Sequence, residues 1–168
     1  ITTPTLRGNF NAGLGVADTF CNDGADANLP GGLGTATYKA LLVAATTRRA
    51  TTTGTNGTGQ INWVLQPNTD YYLKTGAGAP YSTSLLRTNS YGTFAFGSLD
   101  TSFGGGSQRY WTGLNADWTH AAANCSNRTN DTAGFNGRAG SGGSTGTTSI
   151  SSATNSCATQ KKLICVQQ

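Results

Sequence analysis

The sequence predicts an α+β domain with small antiparallel sheets, one or two short helices, long loops and two disulfide bonds. The first supporting observation is composition: only 11% of residues are charged, glycine occurs 24 times, and Glu and Met are absent. Good helix formers are therefore scarce, whereas turn-forming and β-branched residues are common. The second is cysteine usage, because four cysteines with one histidine and no Cys-x-x-Cys motif favour two disulfides over a zinc site.

The length of 168 residues suits one domain that buries its own core, and we expect residues 1–168 to form it. Residues 1–10 are expected to be an arm or the continuation of an upstream stalk. The chain begins at Ile1 rather than Met, so we expect a processed product or an excised part of a longer protein.

Apolar patterns predict the first elements of the fold. Thr5–Phe10 reads as a strand, and Val16, Phe20 and Cys21 as one face of a short helix. The apolar run at 37–43 fits a buried strand or a helix. Tyr71–Leu73 is expected to pair beside the apolar segment Ile61–Leu65 after a turn.

The second half of the chain predicts further strands separated by glycine-rich breaks. Alternating aromatics predict a strand over Tyr91–Phe96, and others are expected around Trp111 and at Leu163–Val166. Residues 134–149 form a Gly/Ser/Thr tract, which we interpret as a tethered surface loop.

Disulfides persist in oxidising compartments, so we expect a secreted or cell-surface protein. No apolar run approaches membrane-spanning length, and no membrane insertion is expected. The net charge is +4, but the basic residues are scattered, with Arg48-Arg49 and Lys161-Lys162 the only adjacent pairs. A nucleic-acid partner is not expected without a denser basic stripe. The charge supports only mild attraction to anionic surfaces.

Several motifs resemble the C-type-lectin-like fold, and more narrowly its endostatin-like branch in bacterial surface proteins of uncharacterised function. The resemblance covers nearly the whole chain from Cys21 onward. It is carried by the following segments: Cys21, Gly34–Leu42, Arg48–Ala50, Trp63–Asn68, Trp111-Thr112-Gly113-Leu114, Ser156-Cys157 and Leu163–Val166.

Four cysteines allow three pairings, among which the residues alone do not choose. The resemblance implies Cys21–Cys165 as the outer disulfide and Cys125–Cys157 as the inner one. The bacterial relatives tend to carry a Trp shortly after the second cysteine, where this chain has Asn127-Arg128-Thr129.

Metal-dependent and catalytic functions lack their usual residues. Calcium-dependent lectins use a Glu-Pro-Asn or Gln-Pro-Asp signature within the long loop, but Gln66-Pro67-Asn68 lies upstream of it and is expected to be a turn. His120 and Asp117 have no positioned serine nucleophile nearby in sequence. We therefore expect no catalytic site, no metal site and no cofactor.

The aromatic residues divide into two groups. Trp63, Trp111, Phe94 and Phe96 occupy apolar strand patterns and are expected in the core. A second group falls beside turns or in loops and is either exposed for sugar stacking or tucked over the edge of the core: Trp118, Tyr81, Tyr91 and Phe135.

The segment from Asn115 through Arg138 is the predicted binding face, because it joins loop aromatics to hydrogen-bonding side chains on a disulfide-held scaffold. Its candidate ligand-binding residues are Asn115, Asp117, Trp118, His120, Asn127, Arg128, Asn130, Asp131, Phe135 and Arg138.

The expected function is non-catalytic extracellular recognition or adhesion, with a cell-surface glycan or polysaccharide as partner. The fold resemblance supports binding, and the ligand class is an inference by association. The alternative is a structural tip or cap domain of a fibre or adhesin. Such a domain would bind extracellular protein and self-associate, for example as a homotrimer.

Overall fold

The computed structural model describes residues 5–10, 14–23, 37–54, 57–73 and 83–168. Within these ranges the chain is α+β, as predicted, with small antiparallel sheets, short helices and long connecting loops. The elements, in chain order, are α1 Gly15–Asn22, β1 Tyr38–Ala40, β2 Asp70–Leu73, β3 Thr83–Arg87, β4 Arg109–Trp111, α2 Cys125–Arg128, β5 Asn136–Ser141, a 3-10 helix Thr147–Ser149, β6 Ala153–Ser156 and β7 Cys165–Gln167.

The strands form three antiparallel sheets. Strand β1 pairs with β7, β2 pairs with β3, and the third sheet has the order β4-β5-β6. The segment before β7 runs beside β4 through a parallel bridge between Tyr110 and Lys162. Leu6 pairs in turn with Lys161. The first described residues and the last part of the chain therefore lie next to β4.

Helix α1 packs on β1 and is bonded covalently to β7. Its buried residues are Ala17 and Cys21, and Cys21 forms the predicted disulfide with Cys165. Val16 was expected on the buried face but is 44% exposed. At 100° per residue, Val16 and Cys21 lie about 140° apart around the helix, so they do not share a face. Phe20 is partly buried against the core.

Strand β4 separates two hydrophobic clusters. Successive side chains of a strand point to opposite faces, and Tyr110 enters one cluster while Trp111 enters the other. The Tyr110 cluster includes Trp63 and Phe94. The Trp111 cluster contains Phe10, Leu14, Leu163 and three of the four cysteines. The fourth cysteine, Cys165, is partly buried and packs against the cluster.

The inner disulfide joins Cys125 to Cys157, as the resemblance implied. It packs directly on β5 at Gly137, where an added Cβ would lie 2.6 Å from Cys125 Sγ and 2.8 Å from the Trp111 ring. Any side chain at this position would force apart the disulfide, the indole and the strand. Gly137 therefore permits the close packing that fixes the inner loop to the sheet.

The prediction of a surface loop for the Gly/Ser/Thr tract at 134–149 is wrong for residues 136–141, because they form β5, the central strand of the three-stranded sheet. Gly140 explains the difference. A Cβ there would lie 2.5 Å from the Tyr110 ring and 2.2 Å from the carbonyl oxygen of Ser149. Glycine is present in this strand because neighbouring groups approach its backbone closely, not because the segment is solvated.

The predicted strand over Tyr91–Phe96 is wrong. Asn89 and Thr93 instead close a turn, in which the Asn89 amide donates to the Thr93 carbonyl at 2.7 Å. Gly92 occupies the left-handed region within it, with φ of 65°. Phe94 is nevertheless buried as expected. It follows the turn directly and enters the core without being part of a paired strand.

Two other strand predictions need correction. Within Thr5–Phe10, Leu6 forms one isolated bridge with Lys161, and no named strand is present. Tyr71–Leu73 does lie in β2, but β2 pairs with β3 and not with Ile61–Leu65. Residues 1–4 of the predicted arm and Tyr81 lie outside the described residues.

Candidate functional site

The predicted binding face consists of two turns joined by an extended segment. The first turn is closed by a bridge between Leu114 and His120. Residues 121–124 then run antiparallel to the start of β5, where Asn124 pairs with Gly137. The second turn begins at Cys125 and leads into β5.

Trp118 is a core residue, and its predicted role as an exposed binding residue is wrong. Its side chain is 2% exposed. The ring meets Phe94 edge-on at 4.6 Å between centroids and stacks on Phe96 at 5.6 Å. The indole nitrogen donates to the Phe94 carbonyl oxygen at 3.3 Å. A φ of 67° at Trp118 reverses the chain and directs the indole inward. A position beside a turn in the sequence therefore did not make this side chain exposed.

The polar residues of the first turn bind mainly to one another. The Asp117 carboxylate accepts hydrogen bonds from the Thr119 amide at 3.0 Å and hydroxyl at 2.5 Å. These bonds hold the pKa of Asp117 below its ordinary value. Asn115 donates to the Thr119 hydroxyl and to the His120 carbonyl. His120 and Asp117 are exposed, yet this turn presents no aromatic surface because Trp118 points away.

Helix α2 is a single left-handed turn. Cys125, Ser126, Asn127 and Arg128 have φ values of 55°, 54°, 54° and 65°, and the Arg128 amide donates to the Asn124 carbonyl at 2.9 Å. Each non-glycine residue in this conformation costs about 1–2 kcal/mol. Consecutive residues in such a strained conformation persist only where contacts with the surrounding structure offset the cost.

Four contacts hold the left-handed turn. The Asn124 side chain accepts from the Asn127 amide at 2.8 Å, and the Asn127 side chain accepts from the Ala45 amide at 3.1 Å. The inner disulfide anchors Cys125, and the Phe10 amide donates to the Arg128 carbonyl at 2.7 Å. Asn127, a predicted ligand-binding residue, is therefore engaged in holding the loop.

Arg128 is fully buried, so its predicted place on the binding surface is also wrong. Its Nε donates to the Val43 carbonyl at 3.3 Å, and the guanidinium lies 5.5 Å from the centre of the Trp111 ring. Nη2 has no hydrogen-bond partner in the part of the chain that the structure describes. Burial lowers the pKa of Arg128 to about 9. The positive φ of 65° at Arg128 directs its side chain into the protein interior and away from solvent.

Three further predicted residues, Asn130, Asp131 and Phe135, lie in the segment 129–136, which we name the Phe135 turn. Asn130 accepts hydrogen bonds from the Thr132 amide at 2.9 Å and hydroxyl at 2.7 Å. Phe135 is 43% exposed, and its carbonyl accepts from the Cys157 amide at 2.8 Å. Asp131 is half-buried and makes no side-chain hydrogen bond or ion pair with any described residue.

Arg138 does not join this group. It lies within β5, where alternation places it on the face opposite to Phe135. Its side chain is partly buried, and its Nε is buried without a hydrogen-bond partner among the described residues.

A family model described as a protein of unknown function (DUF1554) matches residues 3–145. The chain belongs to the DUF1554 family. No curated protein and no solved structure matches it. The DUF1554 match includes Cys21 and Cys125 and ends before Cys157 and Cys165, their disulfide partners.

The two disulfides of this DUF1554 domain indicate an oxidising, extracytoplasmic environment. Among the described residues, no helix has the length and apolar character needed to cross a bilayer. Those residues also contain no group of three or more His, Cys, Asp or Glu side chains that could hold a metal ion.

Sequence reasoning missed Asn136 and Thr132, which are exposed beside Phe135. Asn136 begins β5 and pairs with Ser156 of β6. The signal that could have found both residues is their position directly around an aromatic residue in a loop tethered by the inner disulfide.

Proposed function

We propose that this DUF1554 domain is a non-catalytic recognition domain that acts outside the cytoplasm and binds a cell-surface glycan or polysaccharide at the Phe135 turn. The observation that carries the proposal is the exposed ring of Phe135 on a loop held by a disulfide, with amide, carboxylate and hydroxyl groups beside it. An aromatic ring can stack on the apolar face of a sugar, while such polar groups bond to its hydroxyls.

The rigidity of the loop supports this role. The Cys157–Phe135 backbone bond, the inner disulfide and the left-handed turn fix the position of the ring before any ligand arrives. Preorganisation lowers the conformational entropy lost on binding. One aromatic contact gives modest affinity, so attachment to a cell would depend on several copies acting together.

We also propose that the fold is C-type-lectin-like, of the endostatin-like branch. Two features support this: the nested pairing of Cys21–Cys165 around Cys125–Cys157, and the position of Trp111 in a strand next to the inner disulfide. Domains of that fold are often recognition modules, and this likeness adds to the argument from Phe135 only by analogy.

A second candidate function is a structural tip or cap in a fibre or adhesin. Exposed apolar side chains away from the Phe135 turn favour it. Tyr72 of β2 is 52% exposed, and Ile61 and Tyr91 are each 36% exposed. Ile61 and Tyr91 are close to each other, because Gln60 donates to the Tyr91 carbonyl at 2.6 Å. These residues could contact sister chains, whose presence the molecular mass in solution would reveal.

A glycan array and whole-cell binding test the first proposal. We expect the Phe135→Ala variant to lose at least ten-fold in binding to the glycans that the wild type selects. Tyr72→Ala is the matched control, since it removes an exposed aromatic residue from a different sheet, and it should bind as the wild type does. Equal binding by Phe135→Ala and wild type would refute the site. Sedimentation that shows a stable trimer, lost in Tyr72→Ala, would instead support the fibre-tip function.

A further inference from the structure

Basic residues that are scattered in the sequence come together beside β4. Leu6 pairs with Lys161, and Tyr110 pairs with Lys162, so three backbone segments lie side by side. These segments carry Arg7, Arg109, Lys161 and Lys162. Because Tyr110 and Lys162 are paired and share one face, alternation places Arg109 and Lys161 together on the other face, and the pairing of Lys161 with Leu6 leaves Arg7 on the Lys162 side. We name the two cations that share a face, Arg109 and Lys161, the β4 basic cluster.

The two cations of the cluster differ in exposure, because Lys161 is only 8% exposed. Arg109 is exposed, and its Nη1 donates to the Ser141 hydroxyl at 2.5 Å. Lys161 Nζ lies 5.3 Å from the centre of the Trp111 ring. Burial and, secondarily, the positive charge of Arg109 lower the pKa of Lys161. The two cations are therefore near enough to repel each other.

No carboxylate neutralises the cluster within the described ranges. The ion pairs found there are Arg48–Asp18 and Arg87–Asp70, and neither includes a residue of the cluster. Two cations on one face without an acidic partner produce a local positive potential that attracts anions. A bound anion would relieve the repulsion between Arg109 and Lys161.

The cluster lies at the opposite end of β5 from the Phe135 turn. Arg109 pairs with Ser141, the last residue of β5, whereas Phe135 immediately precedes its first. Phe135 and Ser141 fall on the same face by alternation, about 20 Å apart at the usual rise per residue. An extended polymer could reach both, whereas a single sugar could not.

We propose that the β4 basic cluster binds the carboxylate or sulfate groups of an acidic polysaccharide. This inference rests on the proposed function, because it assigns the charge class of the glycan that the Phe135 turn would hold. The exposed large apolar residues of the described chain are Val16, Ile61, Tyr72, Tyr91 and Phe135, and none belongs to the three clustered segments. The surroundings are instead polar, with Ser141 and Gln160 nearby in the structure and sequence, which favours a hydrated polymer over a lipid surface.

Carboxymethyl-dextran and unmodified dextran are suitable probes, because they share one backbone and differ in charge. We expect the wild type to bind the charged polymer at least ten-fold more tightly at low salt, with a preference that declines as salt is added. The double variant Arg109→Gln/Lys161→Gln should lose this preference. Lys39→Gln/Arg49→Gln removes the same charge from elsewhere and should retain it. Arg109→Gln alone changes only an exposed residue and should weaken the preference for the charged polymer. This single variant tests the cluster even if the double variant does not fold.

Equal losses in the two double variants would overturn the inference, since they would show an effect of net charge alone. Stronger binding to phosphatidylglycerol vesicles than to carboxymethyl-dextran would also overturn it. Phe135→Ala separates the two proposals. If Phe135→Ala loses glycan binding while the Arg109/Lys161 variant behaves as wild type, the cluster is refuted and the proposed function stands. If the losses are reversed, the cluster stands and the Phe135 site is refuted.

Discussion

Arg48 and Asp18 form a two-pronged ion pair, with Nη1–Oδ1 and Nη2–Oδ2 distances of 2.9 and 2.5 Å. The guanidinium is fully buried and also donates to the carbonyls of Ala40 and Asn62. Asp18 accepts in addition from the Ala40 amide at 2.9 Å. One ion pair thus connects helix α1, strand β1 and the segments that carry Arg48 and Asn62.

Removing one member of this pair should strongly destabilise the fold. Asp18→Asn leaves the buried Arg48 guanidinium without its counter-charge, and we expect a loss of about 3–5 kcal/mol in the free energy of unfolding. The control is Asp70→Asn, which removes the carboxylate of the exposed pair with Arg87 and should cost less than about 1 kcal/mol. Urea denaturation measures both, and equal losses would contradict the structural role of Arg48.

Trp118 should behave as a core residue. Trp118→Ala removes a buried indole packed on three aromatic rings, so we expect a loss of about 3–5 kcal/mol in stability. Phe135→Ala, by comparison, should change stability by less than about 1 kcal/mol, because its ring is 43% exposed. Thermal and urea unfolding of the two variants would reveal the contrast. If Trp118→Ala were as stable as the wild type, Trp118 would not be a core residue and would again be a candidate for the binding face.

Tyr110 should make stability fall at alkaline pH. Burial raises its pKa well above the ordinary value of 10.0, so the folded protein keeps the phenol protonated where the unfolded chain ionises. This stabilising contribution is complete below pH 10 and declines as the pH rises further, by about 1.4 kcal/mol per pH unit.

Tyr110→Phe isolates this effect. The lowered pKa values of Arg128 and Lys161 act with the opposite sign, because there the unfolded chain binds more protons, but they are common to both proteins. At neutral pH the variant should be less stable, since it lacks the hydrogen bonds to the Ser141 and Ser149 carbonyls. The stability advantage of the wild type should shrink between pH 10 and pH 11. A constant difference across that interval would show that Tyr110 ionises normally.

The inner disulfide should be needed for the shape of the Phe135 turn as well as for stability. Its sequence separation is 32 residues, so Cys125→Ser/Cys157→Ser should lose about 4 kcal/mol in the chain-entropy model. We expect the left-handed turn to relax as well, since Cys125 is its first residue. Hydrogen exchange would then accelerate at the amides of Arg128 and Thr129. Unchanged exchange in a folded variant would show that Asn124 and Asn127 suffice to hold the turn.

Much of the fold could be predicted from local features of the sequence. The helix at Cys21, the strand at Trp111 and the buried state of Trp63 and Phe94 follow from apolar spacing. Prediction failed where a residue's role depended on its neighbours in space. Gly140 has the composition of a loop, yet it lies in a central strand because Tyr110 and Ser149 approach its backbone.

The candidate site divides in the same way. Phe135 was expected to be either exposed or tucked against the core, and its exposed ring agrees with the first alternative. Trp118 and Arg128 have similar sequence surroundings but are buried, because a positive φ at each one turns the side chain inward. Composition and spacing do not reveal the sign of φ at a non-glycine residue, since the surrounding contacts determine it.

By itself the sequence determined the scarcity of helices, the number of disulfides and the extracytoplasmic environment, because scarce helix formers and an even set of cysteines act through composition alone. The α+β class followed from the motifs that resemble the C-type-lectin-like fold. Only the tertiary structure decided which turn side chains face solvent and which cations lie together. Arg109 and Lys161 are 52 positions apart in the chain (161 − 109), and β4 pairing brings their segments side by side. The interaction energy of two charges depends on their distance in space, and the order of residues along the chain does not give that distance.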